Sequence, residues 1–514
     1  MTTWSDRLTL AAMGPAAAAA GLAAGHLLAA ATTPSASPVL AVGSTVIDRT
    51  PTPVKEWAVA HFGTNDKTIL VGSVLAVVLL VATAVGFVAR RSLVLGAGIL
   101  VLLSAVAAVC AVLRPAADAG DALPSVLTGV VAAGVLLTLF ALWPAALWSA
   151  DRAPDEGTAG NASRRGVLVG LGVTVLAAAA VGGLGRRLTS LRGRPENVTL
   201  PAPAEPAGAF PAGLDRTVPG ITPWRTPTGG FYRVDTRLDV PVLSSADWSL
   251  RVDGDVRHPF TLTFDELLAM PMIERDITLT CVSNSVGGPY AGGARWLGVR
   301  LTDLLDRAGV GAKADQMLST DFAGMTISTP LALATDGRDA MLAVGMNGAP
   351  LPREHGFPAR LVIPGLYGFI SATKWVSRLT LTTYADHSAY WTDRHWATDA
   401  PIKISSRIDT PRPLAQLDVG EVVVGGVAWA QGGGGVDRVE VSIDGGAWQQ
   451  AQLGPSAGEV YWRQWFHRWD AKPGSHTVSC RVVDGDGRTQ APVRANPFPD
   501  GASGLHTINV TVGS

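Results

Sequence analysis

Long apolar runs occur almost only in the first 185 residues of this 514-residue chain. Two of them, residues 68–88 and 92–113, contain no charged side chain. Since about 20 apolar residues are enough to cross a bilayer, these runs predict transmembrane helices rather than buried core helices. The same criterion predicts five spans, at residues 9–31, 68–88, 92–113, 123–148 and 166–185. For residues 9–31, which are mostly alanine and include Pro15, a core helix or a signal peptide stays an alternative.

The rest of the chain is typical of a soluble globular protein and is long enough for one or two further domains. The expected organisation is a membrane region at 1–190, a Pro/Ala-rich linker at 191–227, and domains at 228–398 and 399–514. The formal net charge of −1 argues against a nucleic-acid partner. The spacing of the three cysteines suggests neither a zinc site nor a disulfide framework.

One of these cysteines ends a predicted strand. In Asp276-Ile-Thr-Leu-Thr-Cys281, apolar and polar residues alternate, which is typical of a strand, and a polar, glycine-rich loop follows. A thiolate at the rigid end of a strand is a soft donor that suits a transition metal. The alternative is a buried cysteine that acts as a small hydrophobic residue, which is the commoner role of a lone cysteine.

The last 116 residues favour a β-sandwich, because short alternating segments are separated by glycine-rich turns such as Gln431–Gly435. The expected strands are Val422–Ala428, Val436–Ile443, Trp462–Trp469, His476–Val483 and His506–Val512.

Two blocks of sequence resemble the sulfite oxidase family of molybdopterin oxidoreductases. The first contains Cys281-Val-Ser-Asn284 and then Ala294-Arg-Trp-Leu-Gly-Val-Arg-Leu301, and the second runs from Met346 through Arg360 to Gly368. Residues 438–448 and 499–506 resemble the immunoglobulin-like dimerisation domain of the same family, and the membrane half resembles that of actinobacterial-type, membrane-anchored members. The fold class implied is N-terminal transmembrane α-helices, an α+β molybdopterin-binding domain and a C-terminal immunoglobulin-like β-sandwich.

The resemblance implies a molybdenum–molybdopterin cofactor (Moco) and a set of site residues. Cys281 would be the metal ligand, and Arg233 would join it in the catalytic pocket. The cofactor-binding residues implied are Asn284, His355, Arg360, Ser371, Thr373, Lys374 and Asp235, the last standing where the family has a histidine. Arginine and lysine suit the phosphate of such a cofactor. Their alternative roles are surface charges, and that of His355 is a loop histidine bonded to backbone.

The resemblance is weaker for the substrate. Ser285 and Val286 stand where sulfite oxidases carry arginines, and Met325 stands at the position of their tyrosine. A pocket with less positive charge favours a neutral S-oxide or N-oxide over sulfite, so both reaction directions stay open. The alternative from another class is an exported, metal-free binding or adhesion module that keeps the fold.

The expected location is the plasma membrane, with the catalytic domain outside the cytoplasm. Ser163-Arg164-Arg165-Gly-Val-Leu168 resembles a twin-arginine export signal, although two arginines before a span also fit the positive-inside rule. The expected partners are a small-molecule substrate, the membrane and a separate redox partner, either a cytochrome or a quinone system. A homodimer through the C-terminal domain is also expected.

Overall fold

Two compact units make up the chain in the computed structural model, which describes residues 4–62, 65–114, 117–142, 162–193 and 196–513. The helical unit comprises Met1–Arg194 together with Asp235–Val242. The globular unit comprises Pro195–Val234 and Leu243–Ser514.

In the part that the structure describes, the helical unit contains seven α-helices: α1 Trp4–Ala31, α2 Pro38–Arg49, α3 Thr52–Phe62, α4 Asp66–Arg91, α5 Leu93–Val112, α6 Leu123–Ala141 and α7 Ala162–Arg192. Within the described residues, five of them (α1, α4, α5, α6 and α7) are long and apolar enough to cross a membrane. They coincide with the five predicted spans, except that residues 143–148 lie outside the described part. The side chains of Arg164 and Arg165 lie outside it as well.

Glycines let two of these helices approach closely. A Cβ added at Gly14 of α1 would overlap the backbone of Ala82 on α4, and one at Gly86 of α4 would overlap the backbone of Leu10. Close contact of this kind is the usual way in which apolar helices associate, because small residues allow extensive van der Waals packing.

A short segment from the middle of the chain belongs to the helical unit. Lys67 at the start of α4 forms an ion pair with Asp235 at 3.0 Å and donates a hydrogen bond to the Arg237 carbonyl at 2.7 Å. The side chain of Leu238 lies beside Gly43 of α2. Nothing in the sequence pattern pointed to this association.

The globular unit begins with two sheets and four short helices. The strands are β1 Ser249–Gly254, β2 Phe260–Thr263, β3 Met272–Thr280, β4 Ala291–Arg300, β5 Gln316–Asp321, β6 Thr326–Pro330, β7 Met341–Met346, β8 Ala349–Pro350, β9 Arg360–Val362 and β10 Val376–Thr382. The helices are α8 Phe264–Leu268, α9 Leu301–Ala308, α10 Leu331–Ala334 and α11 Gly368–Ser371.

The sheet that carries the predicted cysteine has the order β3-β4-β7-β8, with β9 also paired to β7. β3 and β4 are antiparallel and in register from Met272↔Val299 to Thr280↔Ala291. Ile277 and Leu279 lie in the core, and the alternating Thr278 and Thr280 are also at most 2% exposed, so both faces of this end of β3 are covered. The second sheet has the order β2-β1-β10-β5-β6 and packs with α9 into the main core.

The C-terminal residues form a second pair of sheets, as the turn pattern predicted. The strands are β11 Ser405–Thr410, β12 Gln416–Leu417, β13 Gly420–Trp429, β14 Val436–Ile443, β15 Gln449–Gln450, β16 Gln452–Leu453, β17 Arg463–Ala471, β18 Gly474–Asp484 and β19 His506–Val512. Their orders are β11-β13-β17-β16 and β12-β19-β18-β14-β15. Residues from both sheets, including Val424, Val441, Trp465 and Val510, share one core.

The segment expected to be a linker makes ordered contacts with the globular unit. The N–H of Ala204 donates to the Met272 carbonyl at 2.8 Å, and that of Glu274 donates to the Glu205 carbonyl at 2.9 Å, so the segment pairs with the edge of β3. The Glu205 carboxylate also forms an ion pair with Arg275 at 2.8 Å. From Glu196 onward these residues are therefore part of the unit rather than a free tether.

Candidate active site

Cys281 lies directly after β3, at the start of the loop that leads to β4. Its N–H donates to the Tyr290 carbonyl at 2.9 Å, which extends the β3–β4 ladder by one residue. Asn284 closes the loop: its N–H donates to the Cys281 carbonyl at 3.0 Å, and its side-chain oxygen accepts from the Tyr290 N–H at 2.9 Å. The thiol thus sits on a backbone that is fixed on both sides, as a metal ligand requires.

The surroundings of Cys281 act on its thiol in two opposite ways. Burial raises the thiol pKa, while hydrogen bonds with the backbone and side chain of Ser283 and the positive charge of Lys374 lower it. The net pKa lies above its ordinary value. A bound metal ion would offset this effect of burial on the pKa, because coordination stabilises the thiolate.

A short aromatic segment connects Cys281 with the basic residues of the site. The Phe231 ring packs against the rings of His355 and Trp296, with centroids 5.5 Å and 5.8 Å away. The Tyr232 ring stacks on that of Phe231, with 5.1 Å between the centroids. Burial raises the pKa of Tyr232; the Cys281 thiol adds to this rise, and Arg360 opposes it. Tyr232 therefore lies in the electrostatic range of both groups. Arg233, the predicted catalytic arginine, is the next residue and is half-buried.

Arg360 is the most unusual charged group of the site. It is 5% exposed, lies over the Trp296 ring at 5.1 Å, and donates hydrogen bonds to backbone carbonyls, that of His355 at 3.1 Å among them. No carboxylate pairs with it among the described residues. Burial lowers its pKa to about 10, since the interior disfavours the charged form. A buried cation without an acid partner is suited to a bound anion.

Two backbone segments bring Arg360, His355 and Lys374 together. The N–H of Leu361 donates to the Thr373 carbonyl at 2.9 Å, and that of Val376 donates to the Ala359 carbonyl at 3.2 Å. Gly356 allows this pairing, because its φ of +112° suits glycine and an added Cβ would lie 3.0 Å from the Cβ of Arg360.

His355 is held as a neutral imidazole. Burial and the charges of Arg360 and Lys374 lower its pKa to about 4, and its Nε2–H donates to the Thr228 carbonyl at 3.2 Å. Lys374 Nζ lies 4.6 Å from the centre of the Trp375 ring and donates to the Glu354 carbonyl at 3.3 Å. These three predicted cofactor residues thus form one basic cluster.

The remaining predicted cofactor residues have different surroundings. Ser371 is buried, and its hydroxyl donates to the carbonyls of Leu366 and Tyr367. Thr373 is buried, and its hydroxyl pairs with that of Ser319 at 2.5 Å. Asp235 belongs to the helical unit, where it pairs with Lys67. The cofactor roles of these three residues, like those of Asn284, His355, Arg360 and Lys374, stay predictions.

The donor set fits a molybdopterin cofactor. Within the described residues, no group of three or more His, Cys, Asp or Glu side chains is arranged to hold a metal ion. Cys281 would supply one ligand to a metal whose other ligands belong to the cofactor itself. The basic cluster of His355, Arg360 and Lys374 would supply the cation and donors that a phosphate and a ring system need.

Two features of the site were missed from the sequence. Tyr232 was passed over in favour of its neighbour Arg233, although an aromatic residue before an arginine in a matched segment was a usable signal. The second is the contact between the Cys281 loop and the C-terminal sheets. Arg407 of β11 donates to the Gly288 carbonyl at 2.9 Å, and the His506 ring lies against Gly287. Only the fold brings these residues together.

Comparison with family models matches two consecutive parts of the chain. Residues 237–391 match the oxidoreductase molybdopterin binding domain, and residues 395–482 match the Mo-co oxidoreductase dimerisation domain. The matches fall on the sheets that hold Cys281 and on the C-terminal pair of sheets.

Similar proteins agree with these matches. Mitochondrial sulfite oxidase of Rattus norvegicus is 33% identical over 310 residues, which are 50% of this chain and 56% of that protein. The enzyme of Homo sapiens is 32% identical over 326 residues, 53% of this chain and 58% of that protein. The chain thus spans little more than half the length of these relatives.

A solved structure gives the same result. The sulfane dehydrogenase SoxCD of Paracoccus pantotrophus is similar with a TM-score of 0.50 and 26% identity, over 56% of this chain and 81% of that chain. The fold, the site around Cys281 and these similarities agree. Residues 237–391 and 395–482 therefore form a molybdopterin-binding domain and a dimerisation domain of the kind found in molybdopterin oxidoreductases of the sulfite oxidase family.

Proposed function

We propose that this chain is a membrane-anchored molybdenum oxidoreductase that transfers an oxygen atom to or from a small sulfur compound outside the cytoplasm. The observation that carries the proposal is a fixed cysteine together with a buried basic cluster, both in the part of the chain that matches the molybdopterin binding domain. Cys281 is held at the end of β3 by Tyr290 and Asn284. Arg360 is buried over Trp296 without a carboxylate partner among the described residues, and it lies with His355 and Lys374.

The protein side chains divide the work. Cys281 would hold the metal, while Arg360, Lys374 and the neutral His355 would bind the phosphate and pterin of the cofactor. When bound, the molybdenum cofactor supplies the two-electron redox change that accompanies oxygen-atom transfer. Asn284 keeps the thiol in place through its bond to the Tyr290 N–H. Tyr232 offers a protonated hydroxyl beside the thiol, because burial raises its pKa.

Two reactions of opposite direction fit this site. Oxidation of sulfite takes an oxygen atom from water and releases two electrons and two protons, and reduction of a sulfoxide consumes two electrons and two protons and releases water. The similarity to sulfite oxidases favours the first. The loop after Asn284 favours the second, because Ser285 and Val286 carry no charge for a dianion.

The membrane role rests on the five long apolar helices. The arginine pair at 164–165 and the need to export a folded, cofactor-loaded domain support an orientation with the globular unit outside the cytoplasm. Electrons would pass to or from a separate cytochrome or quinone partner. The match to a dimerisation domain supports a homodimer.

The test is an assay of the purified full chain, expressed with molybdenum cofactor supply. Sulfite oxidation is followed with ferricyanide as electron acceptor, and sulfoxide reduction with a reduced viologen dye as donor. We expect one reaction in the wild type, at least a roughly 100-fold loss in Cys281→Ala, and full activity in Cys480→Ala, which changes a buried cysteine of the β-sandwich. If the cofactor-supplied wild type performs neither reaction, the exported binding module becomes the better account.

A further inference from the structure

The loop that follows the metal ligand is held by side chains of the C-terminal sheets. The loop is Ser285–Gly288, between Asn284 and the first residues of β4. Arg407, which is 8% exposed, donates to the Gly288 carbonyl at 2.9 Å. The His506 ring lies against Gly287 so closely that a Cβ added there would overlap its Nε2 and Cδ2 atoms.

His506 is itself fixed. Its Nδ1 accepts a hydrogen bond from the Ile408 N–H at 2.9 Å, which places its proton on Nε2, the ring atom facing Gly287. His506 begins β19 and Ile408 lies in β11, so this bond also links the two sheets of the sandwich. The Arg407 guanidinium is fixed in turn, because it donates hydrogen bonds to the Asp409 carboxylate at 2.6 Å and to the Thr222 hydroxyl at 2.7 Å.

The loop is adapted to this contact. Gly287 has a φ of +78°, and an added Cβ at Gly288 would lie 2.5 Å from the side-chain oxygen of Asn284. That oxygen accepts the Tyr290 N–H, and the Tyr290 carbonyl accepts the Cys281 N–H. A continuous series of contacts therefore runs from His506 and Arg407 to the backbone of Cys281.

We propose that His506 and Arg407 are positioning residues for the oxidoreductase site, which hold the Ser285–Gly288 loop in the conformation that Cys281 and the substrate require. The inference rests on the proposed function. It makes the C-terminal domain part of the catalytic apparatus as well as a dimerisation domain. Because Ser285 and Val286 lie in this loop, its conformation sets which groups face the substrate.

The primary test is hydrogen exchange of the amides of residues 284–288 and 290 in the full chain, which needs no cofactor. His506→Ala removes the ring, and His506→Asn keeps an acceptor for the Ile408 N–H. We expect exchange in this loop to become about tenfold faster in His506→Ala and to return toward the wild-type rate in His506→Asn. His476→Ala, which changes a histidine of β18 bonded to Asp444, is the matched control and should leave the loop unchanged.

A second readout uses the loaded enzyme. In His506→Ala we expect molybdenum content to stay at the wild-type level, while kcat/KM for the substrate that the wild type uses falls roughly 10- to 100-fold. The electron paramagnetic resonance signal of the half-reduced metal should also shift. Wild type without molybdenum would overturn the proposed function, while the exchange measurement would still test the loop contact.

Gly287→Ala tests the same contact from the other side and covers the case in which a histidine variant fails to fold. As a single substitution it should speed amide exchange in the loop. In the double variant with His506→Ala, the effect on exchange should be smaller than the sum of the effects of the two single substitutions. Loop exchange that is unchanged in His506→Ala, or effects of the two substitutions that simply add, would overturn the inference.

Discussion

Arg360 is the residue whose physical state depends most on what the site binds. It is buried over Trp296 and bonded to carbonyls, with no carboxylate partner in the described part of the chain. Without a bound anion, such a charge costs folding free energy, and with one it contributes binding free energy. A buried arginine of the ordinary kind is available for comparison: Arg353 is 6% exposed and pairs with Glu196 at 3.5 Å.

Arg360→Met should therefore have opposite effects on the empty and the loaded protein. In cofactor-free full chain we expect it to raise the free energy of unfolding by about 1–4 kcal/mol, measured by urea unfolding. In cells that supply the cofactor we expect molybdenum content to fall. Arg353→Met should lower stability, because it removes the ion pair with Glu196 and the hydrogen bond to the Leu243 carbonyl. A less stable, fully molybdenum-loaded Arg360→Met would contradict the assignment.

His355 gives a prediction about pH. Its pKa falls from an ordinary 6.5 to about 4 on burial, so the folded state excludes a proton that the unfolded state accepts between these values. Stability is therefore lost as pH falls from about 6.5 to about 4, and His355 contributes nothing above that window. His355→Gln should reduce this loss by up to about 3 kcal/mol in pH-dependent urea unfolding.

For His476 we expect the opposite pH dependence of the contribution to stability. Its hydrogen bond to Asp444 raises its pKa, so its contribution is present at low pH and disappears as pH rises. His476→Gln should therefore lower the free energy of unfolding at acidic pH and leave it unchanged at higher pH. Equal pH profiles of the wild type and His355→Gln would show that His355 is not held neutral.

The sequence singled out most residues of this candidate site, because matched motifs carry their residues with them. The structure places Asn284 in the loop of Cys281 and groups Arg360 with His355 and Lys374, and the roles of all five residues stay predictions. His506 was missed for a physical reason. Its proximity to the site arises from packing between segments far apart in the chain, which local patterns do not encode.

At the scale of elements, alternation was a reliable guide. The strands Val436–Ile443 and His506–Val512 have the predicted bounds. The linker expectation differed from the structure, because Pro- and Ala-rich composition does not reveal pairing of backbone groups. Ala204 and Glu205 use such groups to extend the sheet at β3.

Helix α4 offers a prediction with an internal control. An added Cβ at Gly86 would overlap the Leu10 backbone of α1, whereas one at Gly72 of the same helix would meet nothing within 4 Å. Gly86→Ala should lower the free energy of unfolding of the detergent-solubilised full chain by about 1–3 kcal/mol, because the added methyl group overpacks the contact. Thermal unfolding measures the change. Gly72→Ala should leave this free energy unchanged or raise it by about 0.5–1 kcal/mol, because alanine favours helix. Equal effects would mean that α1 and α4 do not cross there.

At the scale of the molecule, hydropathy separated the two units and left one segment unassigned. Residues 1–190 were expected to form a membrane region with about five spans, and five helices among the described residues are long and apolar enough to cross a membrane. Asp235–Val242 joins the same unit although its composition is that of a globular loop. This polar segment joins the helices through contacts such as the ion pair between Lys67 and Asp235, and a hydropathy profile does not reveal such contacts.

The central claim is that the chain binds molybdenum through Cys281. The most direct measurement is elemental analysis of the purified full chain, wild type and Cys281→Ser, after expression with cofactor supply. The account predicts about one molybdenum per wild-type chain and, in the variant, loss of the thiolate-to-metal absorption band. Wild-type protein that contains no molybdenum under these conditions, or a variant that keeps the band, would contradict it.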